Sequence, residues 1–220
     1  MSLQERIEQV EQRIQVAARN AGRKREEITL VAVTKKFPAE VMREAYNLGL
    51  RVFGENYVQE FATKNPALAD LADAEFHLIG HLQSNKTKIA LDLFKTIQTV
   101  DSAKLARRLN ETTRPLDVMI EVKLSEEESK EGAAPEELPA LIDAIRACEN
   151  LRLTGLMTMP PWSDDPAETR PYFRRLAMLA RQYGLPRLSM GMSHDLEAAI
   201  EEGSTHVRVG TALFGARPKP

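Results

Sequence analysis

One cysteine, one tryptophan and an aromatic content of 5% leave this 220-residue chain short of the side chains that staple or anchor small folds. The single Cys148 excludes an internal disulfide framework, and its setting, Ile145-Arg146-Ala147-Cys148, reads as a packed helix face near a helix end. Neither sign of charge dominates: 30 Lys and Arg stand against 32 Asp and Glu, for a net charge of -2, so nucleic acid is not an expected partner. No apolar run approaches membrane-spanning length. The opening Met1-Ser2-Leu3-Gln4-Glu5-Arg6 lacks the apolar core of a signal peptide, so a soluble, cytoplasmic protein with no membrane partner is expected. There is no Walker-type glycine loop, no dinucleotide fingerprint after the first strand and no nucleophile elbow. His77, His81, His194 and His206 show no cysteine or carboxylate cluster at a familiar metal spacing, and no metal site is expected.

What is present is an alternation. Apolar residues Ile7, Val10, Ile14, Val16 and Ala17 recur at helical rather than strand spacing among charges, giving a leading amphipathic helix over 3–22. Short β-branched runs then follow at 28–35, 52–56, 76–81, 96–101, 117–124, 152–159, 187–193 and 206–214. Helical stretches separate them, most clearly at 39–48, 102–110, 135–147 and 167–183. Pro38 and Pro135 suit helix starts, and Gly49 and Gly184 suit helix ends. Eight β/α units without a composition break imply parallel strands joined by right-handed crossovers. The expectation is an α/β protein: a single (β/α)8 TIM-type barrel with an extra N-terminal helix, filling residues 1–220 as one domain. A doubly wound open sheet is the alternative. The acidic patch Glu126-Glu127-Glu128 reads as a solvated loop.

In such barrels chemistry gathers at the C-terminal strand ends. That filter selects Lys35, Glu55, Asn56, His81, Asp101, Lys123, residues 157–159, Ser193, His194, Gly210 and Thr211. The first run ends in Lys35-Lys36, and strand alternation lets only one of the two point inward. A lysine at a barrel mouth is partly desolvated, which favours the neutral amine needed to attack an aldehyde; a surface lysine opening a loop fits this strand equally well. The ends of runs seven and eight, Ser189-Met190-Gly191-Met192-Ser193 and Arg208-Val209-Gly210-Thr211, combine glycines with hydroxyls where barrels often bind phosphate. The glycines could instead relieve packing at the rim. Arg208 and Gly210 share a face if strand eight is regular, which would bring a guanidinium near a ring held by that phosphate; a structural ion pair is the other reading.

Several segments, in order along nearly the whole chain, strongly resemble the YggS/PROSC family of pyridoxal 5'-phosphate (PLP) homeostasis proteins. They are Val33-Thr34-Lys35, Phe53-Gly54-Glu55-Asn56-Tyr57-Val58-Gln59-Glu60, and Phe76-His77-Leu78-Ile79-Gly80-His81-Leu82-Gln83-Ser84-Asn85-Lys86, together with Gly155-Leu156-Met157-Thr158-Met159, Leu188-Ser189-Met190-Gly191-Met192-Ser193 with Asp195, and Val207-Arg208-Val209-Gly210-Thr211. The resemblance implies a barrel like the N-terminal domain of alanine racemase, with PLP held as a Schiff base on Lys35. It further implies that Ser193, Gly210 and Thr211 hold the phosphate, that Arg208 faces the pyridine nitrogen and that Asn56 approaches the ring. Lys123 departs from the family pattern, since many relatives resemble one another in carrying asparagine there.

Alanine racemase and related decarboxylases add a C-terminal β domain that supplies a second catalytic group; the sequence in hand ends at Pro220, and no such domain is expected. Without a second acid/base, and with an arginine-facing ring as a weakened electron sink, the resemblance implies a PLP carrier and regulator rather than an enzyme. Its role would be intracellular PLP homeostasis, with delivery to PLP-dependent apo-enzymes, as a monomer. A weak amino-acid racemase is the alternative, and a class I aldolase acting through Lys35 is a third. Lys123 is a candidate for a second local cation, and transient PLP binding at Lys123 or Lys130 is left open by the sequence.

Overall fold

The computed structural model describes residues 1–125 and 131–216. Eight parallel strands close into a barrel in sequence order: β1 Thr29–Val33, β2 Val52–Glu55, β3 Glu75–Leu78, β4 Thr96–Val100, β5 Leu116–Glu121, β6 Leu151–Met157, β7 Arg187–Ser189 and β8 His206–Val209. Closure comes from β8 pairing in parallel with β1, with Thr29 opposite His206 and Val31 opposite Arg208. That contact rules out the open sheet and leaves no strand edge to protect. Outside lie α1 Leu3–Asn20, α2 Ala39–Asn47, α3 Val58–Lys64, α4 Thr87–Leu93, α5 Ala103–Leu109, α6 Leu138–Arg146, α7 Arg170–Tyr183, α8 Leu196–Glu201 and α9 Thr211–Phe214.

The extra helix α1 starts at a reciprocal cap, in which Ser2 Oγ accepts from Glu5 N and the Glu5 carboxylate accepts from Ser2 N. Its buried stripe of Ile7, Val10, Ile14, Ala17 and Ala18 packs over α8 and α9. Arg13 adds a two-pronged bond to Glu197 of α8, at 2.6 and 2.8 Å. The cysteine also sits as its sequence setting suggests: Cys148 is buried just after α6, its Sγ donates to Ala144 O, and burial pushes its thiol pKa up. Among the described residues no helix is long and apolar enough to cross a membrane.

The strands are shorter than their apolar runs. Residues 190–193 do not extend β7, because Gly191 turns the chain at φ +90°. A side chain at that position would bring its Cβ to 2.4 Å from Ala199 Cβ, so glycine is required on two counts. Likewise 210–214 does not continue β8: the chain folds into the single turn α9, with Gly210 O accepting from both Leu213 N and Phe214 N. His81 lies beyond the end of β3 rather than on it. Each shortening frees a strand end to form the loops that build the barrel mouth. The acidic patch 126–128 and Lys130 lie outside the described residues.

Candidate functional site

Lys35 lies two residues beyond Val33, the last residue of β1, in a turn closed by Phe37 N donating to Thr34 O at 3.0 Å. The next residue, Lys36, has φ +67°, the one positive φ of a non-glycine residue among those described. Two features hold it there. Lys36 N donates to Glu60 Oε1 at 2.6 Å, and beneath the turn Lys64 Nζ binds Thr34 O at 3.1 Å, Glu55 Oε1 at 3.0 Å and Glu60 Oε1 at 2.6 Å. Thr34 Oγ1 also donates to Glu55 Oε1, at 2.8 Å. Glu55 is fully buried, and burial raises its pKa against the opposing pull of Lys64. The consequence is positional: Lys36 is exposed, whereas Lys35 is half-buried and lines a cavity of about 230 Å³ at the C-terminal end of the barrel.

All six residues singled out from the sequence, Lys35, Asn56, Ser193, Arg208, Gly210 and Thr211, line that one cavity. Asn56 follows β2, and its backbone is wedged against Gly80, where a Cβ would come within 2.4 Å of Asn56 O. Its buried Oδ1 has no hydrogen-bond partner among the described residues. Ser193 sits on the turn begun at Gly191, which Asp195 ties by accepting from Met192 N at 2.6 Å. Ser193 Oγ accepts from Ala212 N at 3.2 Å, so the loops after β7 and β8 are bonded to each other beside Gly210 and Thr211. The second carboxylate oxygen of Asp195 and His194 Nε2 are buried and face each other at 3.8 Å, and neither has a hydrogen-bond partner among the described residues.

Arg208 is buried to 4% exposure at the base of the cavity. Its Nη1 donates to Ser189 Oγ at 2.7 Å and its Nη2 to Thr158 O at 2.9 Å, so the guanidinium rests on neutral acceptors. Burial pulls its pKa down to about 10, which leaves it cationic at neutral pH. The ion-pair reading of Arg208 therefore fails for its direct hydrogen-bond partners.

Sequence reasoning missed Trp162. It follows Met159-Pro160-Pro161 after β6, lies exposed over the cavity and packs its ring 4.0 Å from that of His194. A lone tryptophan after two prolines at a strand end was the available signal. A smaller chamber of about 170 Å³ adjoins the cavity, sharing Asn56, Ile79 and Met159 with it and adding His81, Lys123 and Glu131. There the fold gathers what spacing could not reveal: His81 Nδ1 lies 3.8 Å from Asp101 and 3.5 Å from Glu131.

Comparison with known proteins decides the family. The alanine racemase N-terminal domain family matches residues 6–218. A pyridoxal phosphate homeostasis protein of Aquifex aeolicus is 46% identical over 227 residues, covering 99% of both chains. This chain belongs to the pyridoxal phosphate homeostasis protein family. The homeostasis protein of Escherichia coli is 41% identical over 96% of this chain and 95% of its own. PipY of Synechococcus elongatus, solved with PLP bound, superposes with a TM-score of 0.83 at 37% identity, over 97% of this chain and all of that one. Alanine racemase from Corynebacterium glutamicum shares the barrel fold at a TM-score of 0.69 and 23% identity; the match covers 95% of this homeostasis-family chain and 60% of the enzyme.

Proposed function

We propose that this chain binds PLP in the 230 Å³ cavity, carries it on Lys35 and serves in PLP homeostasis by storing the cofactor and handing it on. The observation that carries the reading is the meeting of an amine, a guanidinium and two hydroxyl-bearing loops in one cavity. Its chemistry fits the molecule group by group. Lys35 supplies the nucleophile for the aldehyde; Ser193, Gly210 and Thr211 supply the phosphate cradle; Arg208 supplies a donor for the pyridine nitrogen. Asn56 Oδ1, buried and unpartnered, is an acceptor waiting for a donor on a ligand. PLP when bound supplies an aldehyde that joins reversibly to amines. The chain's own groups decide how that aldehyde is used.

Arg208 donates and does not release its proton, so a pyridine nitrogen facing it stays unprotonated and the ring withdraws electrons weakly. That suits storage better than carbanion chemistry. Reversible attachment at Lys35 lets a competing amine, such as the lysine of an apo-enzyme, take the cofactor by exchange. The protein would work as a monomer in the cytoplasm.

Titration with PLP tests the reading. Wild-type protein should develop a near-visible absorption band displaced from that of free PLP, Lys35→Ala should show only the free-cofactor band, and loaded protein should reactivate a PLP-dependent apo-enzyme. Enzymatic exchange of the α-hydrogen of amino acids by the loaded protein would instead favour a racemase.

A further inference from the structure

The barrel interior, which apolar residues fill in most folds of this kind, contains a continuous polar chain. Arg208 Nη1 donates to Ser189 Oγ at 2.7 Å, Ser189 Oγ donates to Gln98 Oε1 at 2.6 Å, and Gln98 Nε2 meets His77 Nδ1 at 2.9 Å. The four side chains come from β8, β7, β4 and β3 and are buried to between 0% and 4% exposure. Beyond them His77 Nε2 faces the Glu75 carboxylate at 3.7 Å, outside hydrogen-bond reach, and makes no hydrogen bond among the described residues.

The cation at one end fixes the direction of every proton along the chain. Arg208 can only donate, so Ser189 must accept from it and send its own proton onward. Gln98 must then present its carbonyl to Ser189 and its amide to His77. His77 Nδ1 is left as an acceptor, so the ring carries its proton on Nε2, the nitrogen facing the Glu75 carboxylate. Arg208 selects this orientation through hydrogen bonds and the field of the Glu75 carboxylate favours it, whereas a reversed Gln98 would set a donor against Ser189 and turn the imidazole proton away from Glu75. The neighbouring groups agree with a neutral ring. Burial lowers the pKa of His77, and the second interior imidazole, His206, stands 6.3 Å away with its Nδ1 at 2.8 Å from Thr205 Oγ1.

We propose that Ser189, Gln98 and His77 are positioning residues that lock the Arg208 guanidinium across the barrel, leaving its remaining N–H groups aimed at the cofactor ring. Two protons are spent on Ser189 and Thr158, which fixes the plane of the guanidinium from behind. The half of the proposal that concerns the ring rests on the PLP reading above; the chain itself does not.

Two measurements separate these halves. In cofactor-free protein, ¹⁵N NMR of the histidine rings should show His77 as the neutral Nε2–H form at pH 7, and Gln98→Glu, whose ionised carboxylate can only accept, should place a proton on Nδ1. A wild-type Nδ1–H form, or no change in Gln98→Glu, would overturn the chain. In PLP-loaded protein, Ser189→Ala should weaken PLP binding about tenfold and shift the cofactor absorption band. A band and affinity left at the wild-type values would overturn the positioning role. Absence of any cofactor band in the unmutated protein would sink the PLP reading, and the Arg208-to-ring half with it, while the tautomer measurement still judges the chain.

Discussion

Glu60 accepts the backbone N–H of Lys36 at 2.6 Å, and this bond holds a left-handed residue immediately after Lys35. An L-residue in that conformation costs about 1–2 kcal/mol, which the surrounding bonds offset. Lys36→Gly removes the cost and should leave PLP binding intact with stability unchanged or slightly raised. Lys36→Val, β-branched at the same φ, should lose about 1–2 kcal/mol in urea unfolding and bind PLP more weakly, because the turn presenting Lys35 shifts. Equal behaviour of the two variants would mean that the turn does not position Lys35.

The glycines at the mouth differ in their demands. At Gly191 a methyl group meets Ala199 and the φ is +90°, so Gly191→Ala should cost about 2 kcal/mol or more and disrupt the turn that carries Ser193. Gly210 is roomier: its added Cβ would sit 3.5 Å from Val33, and its φ is -115°. Gly210→Ala should therefore fold normally and lower affinity for inorganic phosphate and PLP together. Isothermal titration with both ligands checks this.

Stability should fall as the solution is acidified from about pH 6.5. Burial holds the His206 pKa down at about 3, against 6.5 for the free side chain, and moves His77 in the same direction. Between these values the unfolded chain binds protons that the folded chain refuses, so stability is fully present above about 6.5 and is lost progressively towards pH 3. Each histidine contributes a slope of at most about 1.4 kcal/mol per pH unit. Urea unfolding from pH 7 to 5 should show the slope, and His206→Asn should reduce it; an unchanged slope would contradict the burial argument.

Trp162, the single tryptophan, is a built-in reporter because it overlies the cavity. Its fluorescence should be quenched as PLP is added, with the same midpoint as the rise of the cofactor band. Two distinct midpoints would place the absorbing cofactor somewhere else.

The barrel was legible because buried parallel strands read as apolar runs and charged helices separate them. The run ends were not: 190–193 and 210–214 continue apolar, and only backbone geometry at Gly191 and the turn over Thr211–Phe214 cuts the strands short. Lys35, Asn56, Ser193, Gly210 and Thr211 could be picked out because strand ends converge in a closed barrel, and Arg208 because it shares a strand face with Gly210 and matches the family pattern. The choice between Lys35 and Lys36 was invisible to alternation alone, since it depends on Glu60, Lys64 and Glu55 fixing the turn. The chain from Arg208 to His77 was hidden for a different reason. Ser189, Gln98 and His77 are far apart in sequence, each is one of several polar residues in a short strand, and they meet only when the barrel closes.

Reduction of the PLP-loaded protein with borohydride, then proteolysis and peptide mass spectrometry, tests the central claim most directly. The account predicts the phosphopyridoxyl mass on Lys35 alone at one equivalent of cofactor, and its loss in Lys35→Ala. Finding it chiefly on Lys36, Lys123 or another lysine would contradict the assignment of the site.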